Sequence, residues 1–285
     1  MPALTLHLFS LAVPPQTFIQ RLRQHQVEVV VTSRPQYIVI QPSVLDKNVL
    51  TSHKWDLLAV LRIPGDGATL PSDLQNVVRD EYRILVGIPS KLLASYPERD
   101  AKLKRETASI PLTGSLEQAQ SQARSSSQNL EVSPDLLAFM DRLTKEYGDK
   151  PVTMLNLLHF HHPNGKQSYY QYGQAFIPVA GKRGGSAKLL GNVVKPAASV
   201  DSRGDHNRPE QDWWNEISIV HYPSIRHFCD MLAGEDYQAI NEKYRLSVSV
   251  IPDHLFDGML MSRPFAIRFC CARRNGSWMQ RSCEA

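Results

Sequence analysis

His53-Lys54-Trp55-Asp56-Leu57-Leu58-Ala59-Val60-Leu61-Arg62-Ile63-Pro64 lies over Asp212-Trp213-Trp214-Asn215-Glu216-Ile217-Ser218-Ile219-Val220-His221-Tyr222-Pro223 with a constant offset, which sets Trp55 on Trp214 and Pro64 on Pro223. Both stretches are strongly apolar and stop at proline, which cannot donate to a sheet ladder, so each reads as a strand with a defined end. A second anchor follows each copy: Glu81-Tyr82-Arg83-Ile84 with Ile88-Pro89 resembles Lys243-Tyr244-Arg245-Leu246 with Ile251-Pro252. Two anchors in the same order predict a fused pair of related units.

Around the first anchor the pattern is β-α-β-β-α-β. Residues 4–12 read as a strand ended by Pro14-Pro15, residues 16–24 as a helix, and 27–32 and 37–41 as two strands about a turn at Ser33-Arg34-Pro35. The Trp55 strand, a Ser72-capped helix and a strand over 82–88 complete the unit. Residues 111–132, with Gln118, Gln120, Gln122 and the Ser125-Ser126-Ser127 run, have little to bury and read as a polar linker. Ser133-Pro134-Asp135 then opens a helix to Tyr147, stopped by Gly148. The second unit repeats the scheme: a strand over 152–160, a turn at Asn164-Gly165, a tyrosine-bearing helix over 168–182, the Gly184-Gly185 stop, and strands over 186–194 and 214–222. Its fourth strand is expected between 246 and 261. The boundaries are therefore 1–110, 111–132, 133–261 and 262–285.

The length of 285 residues suits two domains, each with its own core. No apolar run approaches the ~20 residues of a membrane span, and Met1-Pro2-Ala3-Leu4-Thr5-Leu6-His7 lacks the basic start of a signal peptide, so a cytoplasmic protein without a membrane partner is expected. The net charge of +4 belongs to residues 262–285, which hold Arg263, Arg268, Arg273, Arg274 and Arg281 against Glu284 alone. The neutral body offers no footprint for nucleic acid. Cys270, Cys271 and Cys283 also fall in that stretch, leaving Cys229 in the body, so neither a disulfide framework nor a zinc pattern is read. Basic, cysteine-rich and aperiodic, the stretch reads as a disordered tail, and an altered reading frame would look the same.

Tyr169-Tyr170-Gln171-Tyr172, Gly184-Gly185, Leu189-Leu190-Gly191, Trp214-Asn215, Val220-His221-Tyr222-Pro223-Ser224, Glu235-Asp236-Tyr237-Gln238-Ala239-Ile240 and Arg245 together resemble the dimeric α/β-barrel superfamily. Within it they look most like a small domain-of-unknown-function family with a tyrosine-rich first helix, a Gly-Gly turn, a strand ending Tyr/Phe-Pro-Ser and a Ser/Asp-x-Tyr-Gln-Ala helix. The resemblance implies an α+β fold of two fused ferredoxin-like βαββαβ units whose sheets face each other to form an α/β barrel. The first unit, which lacks the Gly-Gly turn and the Asp-Tyr-Gln motif, would be the built-in partner sheet. The chain is then a pseudo-dimer or a homodimer.

The same resemblance makes the first and third strands of the second unit parallel neighbours, with His159 and His221 side by side at their carboxyl ends. Leu155 and Leu157, Ile217 and Ile219 keep the two histidines in phase on one face, where they could act as general base and acid; ordinary hydrogen bonding at a sheet edge is the competing reading. The other face carries Asn156, Glu216 and Ser218 among Met154, Leu158 and Val220, a wall that would orient a substrate oxygen and raise the Glu216 pKa, unless that face is solvated. His221, His159 and Glu216 are the candidate catalytic residues; Asn156, Tyr172, Ser218 and Trp214 are the candidates for holding substrate. His159, His161 and His162 with Asp205-His206 run into a surface turn and are not read as a metal site. Gly181-Lys182-Arg183-Gly184-Gly185-Ser186 lacks the order of a phosphate-cradling loop, so no nucleotide or other cofactor is implied.

Superfamily precedent and polar residues set in apolar strands imply a cofactor-independent enzyme of small-molecule, secondary metabolism. It would act on an apolar carbonyl or phenolic compound by acid/base chemistry, as a cyclase, isomerase, dehydratase or monooxygenase. A non-catalytic small-molecule-binding or stability protein with the same barrel is the alternative, because fold does not decide function.

Overall fold

The computed structural model describes residues 3–42, 45–64, 70–119, 125–127, 129–160, 164–194, 209, 213–246 and 266–272. Their architecture is α+β, with all strand pairs antiparallel. The first half gives β1 (Ala3–Leu11), β2 (Glu28–Ile40), β3 (Leu57–Arg62) and β4 (Val78–Gly87); the second gives β5 (Val152–Leu158), β6 (Ser186–Val193), β7 (Glu216–Tyr222) and β8 (Ala266–Ala272). The described helices are α1 (Pro15–Gln24), α2 (Lys47–Ser52), α3 (Ser72–Gln75), α4 (Ser90–Glu106), α5 (Ser115–Ala119), α6 (Pro134–Tyr147), α7 (Gly165–Gly181), α8 (Ile225–Ala233) and α9 (Glu235–Ile240). The strands close in the order β1-β3-β2-β8-β5-β7-β6-β4. Each half thus contributes its strands in the order fourth, first, third, second, and the halves meet where β2 pairs β8 and β4 pairs β6.

Strand alternation explains which side chains meet. Leu4, Leu6 and Leu8 of β1 share one buried cluster with Leu58, Val60, Tyr82, Ile84 and Val86, and also with Leu155, Leu157, Ile217 and Ile219 of the second half. The opposite row, Phe9, Leu11, Leu57, Ala59 and Leu61, packs against Phe18, Ile19 and Leu22 of α1. In the second half Val152, Met154, Val220 and Tyr222 pack against Leu136, Phe139 and Met140 of α6 and Phe228 and Leu232 of α8. The innermost core is therefore shared, not divided between two self-sufficient units, because the inner faces of the two sheets pack against each other, with Leu50 of α2 and Tyr96 of α4 in the same cluster. Each fully buried leucine in it contributes about 1.5–3 kcal/mol.

Several expectations change. β2 is one strand rather than two about Ser33-Arg34-Pro35: its start pairs with β3 and its end with β8, and Pro35 sits at a register shift where a missing N–H is tolerated. The linker is not bare, since α5 forms within it and Leu116, Leu130 and Val132 are buried against α6 and α8. α4 was not anticipated, its pattern being interrupted by Pro97. The second repeat anchor fails: Tyr82 and Ile84 lie in β4, whereas Asn241–Leu246 is a π-helical turn. The strand expected between 246 and 261 falls outside the described residues. The 262–285 stretch is not wholly a tail, because Ala266–Ala272 is β8, laddered to both β2 and β5. Arginine and cysteine content speaks for surface chemistry and says nothing of backbone pairing, which is what places this strand.

The Gly184-Gly185 pair has a steric cause. Gly184 has φ +71°, and a Cβ there would lie 2.5 Å from Pro223 Cγ and 2.6 Å from Ile110 Cδ1; a Cβ on Gly185 would lie 2.9 Å from Tyr222 Cε1. The turn leaving α7 thus presses on the end of β7 with backbone alone. Gly184→Ala is expected to cost about 1–3 kcal/mol, read by urea denaturation, and an unchanged midpoint would refute the close approach. Deleting residues 262–285 removes a strand with neighbours on both sides, so the melting temperature should fall by more than about 10 °C; a shift within error would show that β8 does not close the ladder.

Candidate functional site

β6 carries a bulge: Ala187 pairs with Val220 and Leu189 with Ile219, which leaves Lys188 as the extra residue. The bulge turns Lys188 to the side of Leu189 and away from solvent. Its Nζ donates to Asp100 Oδ1 of α4 at 2.7 Å and contacts Thr153 Oγ1 of β5 at 3.5 Å. Thr153 and Ser186 are the cross-strand partners of His221, so one imidazole, one ammonium and two hydroxyls share a neighbourhood. α4 covers it: Asp100 also pairs with Lys104, Arg99 Nη2 donates to Ser186 Oγ at 2.9 Å, and Lys188 lies over the Tyr96 ring.

The site is deeply enclosed, with His221 1%, Lys188 3% and Asp100 5% exposed. Nε2 of His221 has no hydrogen-bond partner among the described residues. Burial, helped by the Lys188 ammonium, pushes the His221 pKa down to about 3, so its ring is neutral. Burial alone would raise Asp100, but Lys188 and Lys104 hold it down at about 2 and it stays a carboxylate. The result is a neutral proton acceptor beside a buried, counter-charged cation.

The two histidines of the sequence reading do not meet. β5 and β7 are antiparallel, with Thr153 opposite His221 and Leu158 opposite Glu216, so His159, just past Leu158, lies roughly 20 Å along the strands from His221. Glu216 sits at that far end, with 23% of its side chain exposed and its carboxylate 2.9 Å from Lys166 Nζ, rather than enclosed in an apolar wall. Asn156 and Ser218 do come together: Asn156 Nδ2 donates to Ser218 Oγ at 2.8 Å, both buried. They belong to the row of Met154 and Val220 that faces the helices; the inward row is that of Leu155 and Ile219, which His221 continues. The Tyr172 hydroxyl is 3.0 Å from that of Tyr237, and Trp214 Nε1 donates to Asp46 Oδ2 at 3.0 Å. These four residues make internal bonds in three separate places and do not converge on His221. His161, His162, Asp205 and His206 lie outside the described residues; among the described ones no group of three potential ligands gathers for a metal.

No protein-family profile matches the chain, and no curated protein matches it significantly. Among solved structures, one titled "Crystal structure of putative monooxygenase from Lactobacillus acidophilus NCFM" aligns over 94% of this chain and 92% of its own, at 8% identity and a TM-score of 0.40. No described helix is long and apolar enough to cross a membrane.

Lys188, Asp100 and Lys104 escaped the sequence reading. A lysine amid Ala187, Leu189 and Leu190 was the available signal for the first; the other two lie on the unanticipated α4. A second buried chain was also missed: His7 Nδ1 is 2.7 Å from Glu81 Oε1 and its Nε2 2.7 Å from Thr5 Oγ1. The order hydroxyl, imidazole, carboxylate matches a nucleophile relay; Thr5 and His7 are fully buried on the row of β1 that also bears Phe9 and packs toward α1.

Burial lowers the folded-state pKa of both His221 and His7 below the ordinary histidine value of 6.5. The unfolded chain therefore binds protons that the folded one does not, and stability is lost as pH falls below about 6.5. For His221 the loss continues down to about pH 3. Urea denaturation at pH 6.5, 5.5 and 4.5 should show it, and His221→Gln should flatten the slope by up to about 1.4 kcal/mol per pH unit while His7 retains its share. An identical slope in the variant would mean that the imidazole titrates normally.

Proposed function

We propose that the chain is a pseudo-dimer of the dimeric α/β-barrel type, two ferredoxin-like units fused after duplication, and that it is a cofactor-independent enzyme acting on a small apolar carbonyl or phenolic compound. The observation that carries the activity is the unpartnered Nε2 of neutral His221 beside the Lys188 ammonium. Such a pair suits proton transfer next to a carbonyl. His221 Nε2 takes the proton from the carbon, the C–H electron pair becomes a C=C bond, and the carbonyl π pair moves to oxygen. Lys188 faces the oxyanion so formed, and Asp100 holds Lys188 in place. Return of the proton to a different carbon gives an isomer, with neither oxidant nor reductant consumed. Because α4 seals the site, entry requires α4 to shift from β6.

A second reading, a binding protein without turnover, draws on the same geometry. A His221 pKa of about 3 is far below the near-neutral value that serves a general base best, whereas a neutral imidazole beside an ammonium accepts a hydroxyl and donates to a carbonyl well. Incubating the protein in D2O with a panel of apolar ketones, enones and phenols, followed by NMR, separates the readings. Enzyme-dependent exchange of protons beside the carbonyl is expected, falling about 100-fold or more in His221→Gln and in Lys188→Met. Saturable binding without exchange would establish the binding reading. Exchange unaffected by either substitution would place the chemistry elsewhere.

A further inference from the structure

A separate cleft of about 480 Å³ lies between the segment that carries α5, the outer side of α6 and the start of α8. Its floor is fixed. Asp230, fully buried, accepts from Thr113 N at 2.9 Å, Thr113 Oγ1 at 2.6 Å and Leu116 N at 3.0 Å, and Arg183 Nε lies 3.4 Å away. These bonds and Arg183 keep Asp230 charged with its lone pairs occupied, its pKa lowered despite the opposing effect of burial. Its charge is spent inside the protein and not offered to the cleft.

What the cleft offers is apolar surface from Leu112, Leu116 and Met140, and a balanced set of charges. Arg226 of α8 and Lys145 of α6 supply two cations; Glu117 of α5 and Asp141 of α6 supply two anions. Among the described residues Arg226 has only a distant ion pair, 3.7 Å to the exposed Asp149. Thr144 Oγ1, also in the lining, is shielded from solvent and has no hydrogen-bond partner among the described residues. Gly114 leaves the side of the cleft formed by the segment that carries α5 open, since a Cβ there would meet nothing within 4 Å among the described residues. A pure anion would face Glu117 and Asp141, and a pure cation would face Arg226 and Lys145. The volume falls within the range of small-molecule sites.

We propose that this cleft binds a small zwitterion bearing an apolar group, between an aromatic α-amino acid and an apolar dipeptide in size. Its carboxylate meets Arg226 and Lys145, its ammonium meets Glu117, and its side group lies on Leu112, Leu116 and Met140. The site is independent of His221, which α4 covers.

Calorimetric titration with phenylalanine and with leucylphenylalanine, against phenylpropionate and phenethylamine as single-charge controls, tests it on the full chain. Saturable binding of at least one zwitterion is expected, with both controls weaker by about tenfold or more. Arg226→Gln, at a partly exposed position, and Glu117→Gln, at an exposed one, should each weaken the zwitterion by a similar factor while leaving the melting temperature of the free protein in place. The proposal fails if neither zwitterion binds, if phenylpropionate binds as tightly as phenylalanine, or if both variants bind as the parent does.

Discussion

Everything else in this molecule rests on a single core wetted by neither half. Leu4, Leu6 and Leu8 are dried mainly by Leu155, Leu157, Ile217 and Ile219 from the other end of the chain, with Leu50 of α2 and Tyr96 of α4 joining the same cluster. The ladder must then close, because an open edge would let water into that core and leave a row of backbone groups unpaired. The joins are unequal: β4 and β6 share only the pairs Val86–Val193 and Gly87–Asn192, while β2 and β8 pair over the whole of β2's second half. The longer join relies on a strand drawn from the most basic stretch of the chain.

Closure brings charges indoors, and a buried charge persists only when paired. The chain segment between the halves supplies the partners. Asp100 of α4 holds Lys188 on the β6 bulge. Thr113 and Ser115 hold Arg183, whose side chain also bonds Asp236 and the Val179 carbonyl. His227 Nε2, 3.0 Å from the Ile110 carbonyl oxygen, pins the end of the same segment. The stretch from Ser90 to Ser115 therefore works as a clasp: Asp100 neutralises Lys188, while Thr113 and Ser115 add hydrogen bonds to Arg183, whose counter-charges Asp230 and Asp236 come from the second half, and the loop around Arg183 sends its cation inward rather than toward a phosphate.

The Trp55 and Trp214 stretches were legible because their apolar runs and terminal prolines are local features, and the offset that aligns them also aligns β3 with β7. Ser133 and Gly148 were legible for the same reason: Ser133 Oγ accepts from Leu136 N, and Gly148 takes φ 71°. β8 and α4 were not, since one hides in arginine and cysteine and the other around Pro97, and only long-range pairing gives them their places. At the candidate site the alternation of β7 put His221 in phase with Ile217 and Ile219, the row that the structure turns toward the shared core, although alternation alone left open which face that would be. Strand direction decided the rest, because antiparallel β5 and β7 send His159 and Glu216 to the other end. A bulge, which re-aims Lys188 by one residue, leaves no trace in a period-two pattern.

The offset also explains why a matching site is absent at the equivalent place in the first half. Position 62 of β3 corresponds to His221, and Arg62 there reaches outward to Glu28 with about half of each side chain exposed. In water an arginine needs no buried counter-ion and perturbs nothing around it. His221 differs because α4 lies over it, excluding water, lowering its pKa and holding Lys188 against Asp100. The same strand position therefore gives a solvated ion pair in one half and an enclosed proton acceptor in the other. What distinguishes them is not the strand but the helix that follows β4, which crosses from the half that makes it to the half that uses it.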